Sequence, residues 1–306
     1  MGKHKPRTWP DVDEPLPASV IDNHTHLPLG DWEIPKAEGA RLSLPEQLQR
    51  ADAVGVTRMI SSYCEVPDWG PGLELAAMYP QVRVSLGLHP NDAPLHAGHA
   101  DPSPDGMVPS ARPWHQENTL EEALETLDSY LNNPLVVAVG ETGLDYYRTA
   151  EPGREAQKQA FRAQIAMAKA HDLPMQIHDR DAHQDCIDVL LQDGAPRHTV
   201  FHCFSGDAQM AEILAQNGWY ASFAGPITYP SNLELRKAFA AMPPHLVLLE
   251  TDAPYLTPAP WRGCPNASYV STHTVRMFAQ LWDCGLETAC NRITENTEGV
   301  YGTWGV

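Results

Sequence analysis

The chain is 306 residues long and carries 21 Lys plus Arg against 39 Asp plus Glu, a formal net charge of −18. Hydrophobic residues at 42% and charged residues at 20% describe a globular chain, and a chain of this length forms a core without disulfide or metal staples. The composition excludes a collagen-like, coiled-coil or wholly disordered protein, and the acidic balance argues against a broad basic groove that holds nucleic acid by counterion release.

Residues 1–18 read as a polar N-terminal extension. They contain no apolar stretch of the kind that a signal peptide needs, and Pro6 stands where a myristoylation motif starting at Gly2 would want Ser or Thr. The rest, 19–306, is expected to form one domain. No run approaches about 18 apolar residues, so no membrane span is expected. Six scattered cysteines without a C-x-x-C pair read as thiols in a cytoplasmic protein.

In chain order, short apolar runs alternate with longer amphipathic ones. The expected strands are 20–26, 58–64, 82–89, 135–141, 174–178, 198–203, 219–224 and 245–251. Most are continuously apolar, as expected for strands buried on both faces of a parallel sheet. Ser43 with Glu46 offers a capping box for a helix before the second strand. Thr119 with Glu122 does the same for a helix whose stripe is Leu120, Leu124, Leu127 and Leu131. Phe161, Ile165 and Ala168 form a further stripe. Between the third and fourth strands, residues 91–117 hold five prolines with His96, His99 and His115, and read as a long loop. Eight β-α units in about 300 residues predict an α/β chain of the (β/α)8 TIM-barrel class.

The strongest local signal is Asp22-Asn23-His24-Thr25-His26 in the first strand. Residues two apart on a strand share a side, so His24 and His26 can reach one metal ion. Asp22 shares that side but lies deeper, as an outer partner or structural residue. Glu141, His178, His202 and Asp252 fall at the C-terminal ends of the fourth, fifth, sixth and eighth expected strands. Such barrels gather their chemistry at that end. Six ligands are too many for one catalytic ion with an open position. They suit two divalent ions (Mg, Mn or Zn), about 3.5–4 Å apart, sharing the Glu141 carboxylate. Asp252 has a second role open to it, as acceptor of a proton from the attacking water.

The motifs DNHTH (22–26), GLHP (87–90), GETGLDYY (140–147), HDR (178–180), HCFSG (202–206), ETDAPYLTP (250–258) and RGCPN (262–266) resemble those of the TatD family of metal-dependent deoxyribonucleases, within the amidohydrolase superfamily. The resemblance runs from about residue 19 to 302. It implies a TIM barrel, a divalent-metal site and hydrolysis of DNA phosphodiester bonds by metal-activated water, as a 3′-5′ exonuclease on single strands. The family's metal residues map onto His24, His26, Glu141, His178, His202 and Asp252. His89, Arg180, Ser205, Arg262 and Asn266 lie in matched motifs as candidate contacts to substrate, and Tyr146, Tyr147 and Trp261 are candidates for stacking on bases. Cys264 stands where the family motif usually has lysine, and the extension and the 91–117 stretch look longer than usual. No obligate protein partner is expected. The competing expectations are a bimetal enzyme acting on a small ester, lactone, amide or aminoacyl-tRNA, and a metal-bound scaffold without turnover.

Overall fold

A computed structural model describes residues 7–304. The start of the polar extension, including Gly2 and Pro6, lies outside the described residues. Eight parallel strands follow one another in sheet order: β1 (Val20–Thr25), β2 (Val56–Tyr63), β3 (Val82–Leu86), β4 (Val136–Asp145), β5 (Met175–Arg180), β6 (Thr199–Phe201), β7 (Tyr220–Phe223) and β8 (Val247–Leu249). Helices alternate with them: α1 (Leu44–Ala53), α2 (Trp69–Met78), α3 (Ala93–His96), α4 (Pro113–Glu117), α5 (Leu120–Tyr130), α6 (Glu151–Ala170), α7 (His183–Asp193), α8 (Ala208–Gln216), α9 (Leu233–Ala241), α10 (Thr272–Leu281) and α11 (Leu286–Tyr301). This is the (β/α)8 TIM-barrel class that the alternation predicts. No helix among the described residues is long and apolar enough to cross a membrane.

Two expectations need correction. β4 does not end at Glu141 but continues through Thr142 and Gly143 to Asp145. Gly143 makes this possible. Its φ is +133°, and a Cβ there would lie 2.1 Å from the His178 carbonyl oxygen, its register partner on β5. Only glycine fits so close an approach. The 91–117 stretch is also not a bare loop, since α3 and α4 lie within it.

The chain divides into two compact units, one running up to Ser61 and resuming at Gly206, the other Ser62–Ser205. In the first unit, buried Asn23 ties three elements to β1. Its amide donates to Ser222 Oγ (2.8 Å) and Leu249 O (2.6 Å), and the Tyr301 hydroxyl donates to its Oδ1 (3.1 Å). Phe223, Phe239, Phe278 and Trp282 form an aromatic cluster with ring centroids 4.8–6.3 Å apart. The extension is pinned here. Tyr269 donates to Pro10 O (2.7 Å), Arg276 pairs with Asp13 (3.1 Å), and Leu16 is buried. The Ser43–Glu46 box caps α1 as expected.

In the second unit the Thr119–Glu122 box starts α5, with each partner bonded to the other's backbone N–H. Such a cap contributes about 1 kcal/mol. α6 buries Phe161, Ile165 and Ala168, and on its buried side carries two glutamines seven residues apart. Gln164 accepts from Leu88 N (2.8 Å) and donates to Leu88 O (3.1 Å). Gln157 accepts from Asp145 N (3.0 Å) and donates to Pro90 O (2.8 Å) and Thr149 Oγ1 (2.7 Å). One helix thereby fixes both the GLHP turn and the end of β4.

Candidate metal centre

In the first unit, β1 ends at Thr25 and β8 at Leu249, and the residues just beyond them are joined by backbone. His24 O accepts from Thr251 N (3.3 Å) and Asp252 N (3.0 Å), and Ala253 O accepts from His26 N (2.8 Å). The buried Asp22 carboxylate accepts from Thr251 N (2.9 Å) and Thr251 Oγ1 (2.6 Å). Burial pushes the Asp22 carboxyl up to about 6, against the lowering effect of those hydrogen bonds. Asp22 is thus the brace that sets the neighbouring Asp252. His24 and His26 lie with ring centroids 5.1 Å apart, and Asp252 Oδ1 is 3.3 Å from His26 Nε2 and 4.0 Å from His24 Nε2.

In the second unit, three imidazoles converge on one oxygen. Glu141 Oε2 is 2.8 Å from His202 Nε2, 3.2 Å from His178 Nδ1 and 3.6 Å from His89 Nε2. Ligands bonded to one ion at about 2.0–2.2 Å keep mutual separations of this order. The other nitrogen of His178, Nε2, faces Asp145 Oδ2 at 3.2 Å. A ligating histidine is oriented by a carboxylate on its far nitrogen in the same way. Mixed imidazole and carboxylate donors suit Zn and Mn. The residues therefore fit a divalent metal.

The electrostatics of this group follow from burial and pairing. Burial lowers the His89 pKa to about 4, with the His178 charge acting in the same direction. For His178 burial also disfavours charge, but hydrogen bonds to Asp145 and Glu141 outweigh it and raise the pKa. Burial would raise Asp145, yet the His178 hydrogen bond and charge hold it down to about 2. Both polar groups of the peptide preceding Glu141 are held. Ser62 and Ser85 hydroxyls donate to Gly140 O (3.3 and 3.0 Å), and Glu141 N donates to Cys64 Sγ (3.3 Å). Burial, with Glu141 adding to it, raises the Cys64 thiol, which keeps its proton and donates to Glu141 Oε1 at 3.7 Å.

The remaining expected residues separate by environment. Arg262 is exposed and lies over the Tyr229 ring at 4.5 Å. Arg180 is exposed and lies over Tyr147 at 4.0 Å, while its neighbour Asp179 pairs with His183. Ser205 is exposed and Trp261 half-buried. Asn266, expected among the substrate contacts, is buried and braces the loop after β8 by donating to Thr251 O (3.2 Å) and Tyr255 O (2.6 Å). Tyr146 donates to Asp185 (2.6 Å) and carries Arg154 over its ring. Sequence reasoning assigned no role to Asp145, Cys64, Gln157, Gln164 or Tyr255. Tyr255 is 63% exposed, and its ring lies edge-on to His26 at 6.4 Å. The signal for Asp145 and Tyr255 was present, since they sit inside the GETGLDYY and ETDAPYLTP motifs. The glutamines show only as two polar residues on an otherwise apolar helix side.

Comparisons with known proteins place the chain among metal-dependent hydrolases. The family model described as TatD related DNase matches residues 21–302. An uncharacterized metal-dependent hydrolase TatD of Mycobacterium tuberculosis is 34% identical over 92% of this chain and 98% of its own length. An uncharacterized metal-dependent hydrolase YabD of Bacillus subtilis is 30% identical over 92% and 98%. The crystal structure of YJJV, a TatD homolog from Escherichia coli K12, superposes with a TM-score of 0.76 at 30% identity, covering 93% of this chain and 98% of that one.

Proposed function

Because the chain belongs to the TatD family of metal-dependent hydrolases, we propose that it is a deoxyribonuclease that cleaves DNA phosphodiester bonds, working as a 3′-5′ exonuclease on single strands. The observation that carries this reading is the meeting of the His178 and His202 ring nitrogens at Glu141 Oε2, with Asp145 behind His178 and His89 Nε2 beside them as a donor. We assign His24, His26 and Asp252 to one divalent ion and His178 and His202 to another, with Glu141 shared. The family match over 21–302 supports one hydrolase domain across 19–306. A cytoplasmic setting accords with six cysteines among which no disulfide is formed.

A pair of divalent ions, when bound, lowers the pKa of a water, polarises the scissile P–O bond and stabilises charge on the leaving oxygen. The protein's share is placement and proton handling. Asp252 Oδ1, set by the Asp22–Thr251 brace, accepts the proton of the attacking water. His89 accepts from Asn91 N at Nδ1 (3.0 Å), which leaves Nε2 carrying its proton as a donor to a phosphate oxygen. Exposed Arg262 and Arg180, already stacked on tyrosines, supply guanidinium groups for backbone phosphates. Ser205 is exposed in the HCFSG turn and serves as a further donor. Tyr255 offers a face on which the terminal base stacks.

The test is digestion of 3′-labelled single-stranded DNA by purified protein with Mg²⁺, Mn²⁺ or Zn²⁺, and with EDTA. Stepwise shortening from the 3′ end, lost in EDTA, is expected; absence of metal-dependent cleavage overturns the reading. One observation favours a second reading. The net charge of −18 disfavours long polyanions and suits a small ester, lactone or amide at the same metal centre. Faster turnover of such a substrate than of DNA by one metal-loaded preparation selects it.

A further inference from the structure

Beyond the metal-binding residues, the second unit gathers two arginines around one tyrosine. Arg180 ends β5 and lies two residues past His178, so both project to the same side of the strand. Its guanidinium sits over the Tyr147 ring at 4.0 Å, and that of Arg148 over the same ring at 5.5 Å. Both residues are tied down through their backbone. Tyr146 N donates to Arg180 O (2.9 Å), and Arg148 N donates to the Asp145 carboxylate (2.8 Å) that also faces His178. A guanidinium placed over an aromatic face still has N–H groups to offer an anion.

That anion is supplied internally. Asp105, on the stretch joining α3 to α4, pairs with Arg148 at 2.6 Å, with only 10% of its side chain exposed. It is held in place by the Ser103 hydroxyl and by Met107 N (3.2 Å). The Ser103 hydrogen bond, chiefly, keeps the Asp105 carboxyl below its ordinary range, and the charges of Arg148 and Arg180 both add to this. A carboxylate paired with one guanidinium, next to a ring that carries a second, has the charge and acceptor geometry of a phosphodiester oxygen pair.

We propose that Arg148 and Arg180, aligned on Tyr147, form a phosphate subsite for a nucleotide neighbouring the scissile one, and that Asp105 occupies it as a built-in competitor until a strand displaces it. The inference rests on the phosphodiester reading above. On this view the 91–117 segment sets the affinity threshold for polyanions in an already acidic protein. A carboxylate that merely oriented Arg148 would have the opposite effect, because its removal would loosen the subsite.

The experiment measures binding of a fluorescein-labelled ten-nucleotide single strand by anisotropy, in EDTA so that no turnover occurs, across a salt series. Asp105→Asn is expected to tighten binding about fivefold and to steepen the salt slope by about 0.7, the release per phosphate of a single strand. Asp101→Asn, an equal charge change on an exposed residue of the same stretch, controls for net charge and should shift binding far less. Ser103→Ala, which unfastens Asp105, should act in the same direction as Asp105→Asn. In the Asp105→Asn background Arg148→Ala and Arg180→Ala should each weaken binding and together remove the added slope of about 0.7, and Asp105→Asn should have no effect when both arginines are absent. Weaker binding by Asp105→Asn, an effect matched by Asp101→Asn, or no binding by any variant overturns the proposal. Tighter binding without metal-dependent cleavage keeps the subsite and overturns only the nuclease reading.

Discussion

The two donor groups are built by different means. Around His24, His26 and Asp252 the backbone does most of the work: the His24 carbonyl takes two N–H groups from the segment after β8, and one buried carboxylate, Asp22, completes the brace. Around Glu141 and His178 the work is done by side chains reaching in from elsewhere. Ser62, Ser85 and Cys64 grip one peptide, Asp145 orients one imidazole, and α6 sends two glutamines to hold the turn bearing His89. A backbone-built group survives substitution of its neighbours. A side-chain-built group passes remote changes on to its ligands.

The largest effect is expected at the carboxylate itself. Glu141→Ala should lower kcat about a thousandfold, some 4 kcal/mol of barrier, while circular dichroism and Tm report a folded protein; retained turnover would remove Glu141 from the centre. Asp145→Asn comes next. It leaves His178 in place but removes its orienting charge, so metal affinity should fall about 10- to 100-fold, read by competition with a chromogenic chelator, and excess metal should restore much of the activity. Tyr255→Ala should raise the KM for single-stranded DNA about tenfold with kcat little changed, in line with one lost base stack. An equal loss in kcat would point to His26 rather than to substrate.

Remote substitutions test the contrast directly. Gln164→Ala leaves buried Leu88 N–H and C=O groups unpaired, and should cost about 1–3 kcal/mol in urea unfolding together with a fall in kcat. Thr251→Val removes one hydroxyl bond to the buried Asp22 carboxylate, which should cost about 1.5–3 kcal/mol, but keeps the backbone one, so the fall in kcat should be smaller than in Gln164→Ala. Reversal of that order would mean that backbone bonding does not protect the first group. The smallest effect concerns Glu65, whose carboxyl is pushed up to about 7 by burial and by the charges of Asp92 and Asp68. A raised folded-state pKa means the native form binds the extra proton. Stability from this group is thus present below the unfolded value near 4.5 and lost as pH rises toward 7. Glu65→Gln should raise Tm by about a degree or two at pH 8 and leave it unchanged at pH 4.

The sequence carried the barrel because its strands are continuous apolar runs separated by capped amphipathic helices, as Thr119–Glu122 and the stripe through Leu127 show. It carried His24 and His26 because a strand places alternate residues on one side. It did not carry the extension of β4 to Asp145, because Thr142-Gly143 looks like a turn until the His178 carbonyl is seen filling the space of a side chain. Gln157 and Gln164 stayed hidden for a related reason. Their partners are backbone groups far along the chain, and no local pattern announces a long-range amide bond. Asn266 looked like a substrate contact because its motif is polar, whereas the polarity serves two loop carbonyls.

The absent side chain at position 143 also bears on how this enzyme can be altered. With no room for even a methyl group between β4 and the His178 carbonyl, the seam is closed to variation, and libraries that randomise it should return only inactive or unfolded clones. Changes in substrate range are then expected at exposed positions, such as Asp101 in the 91–117 segment and Tyr255.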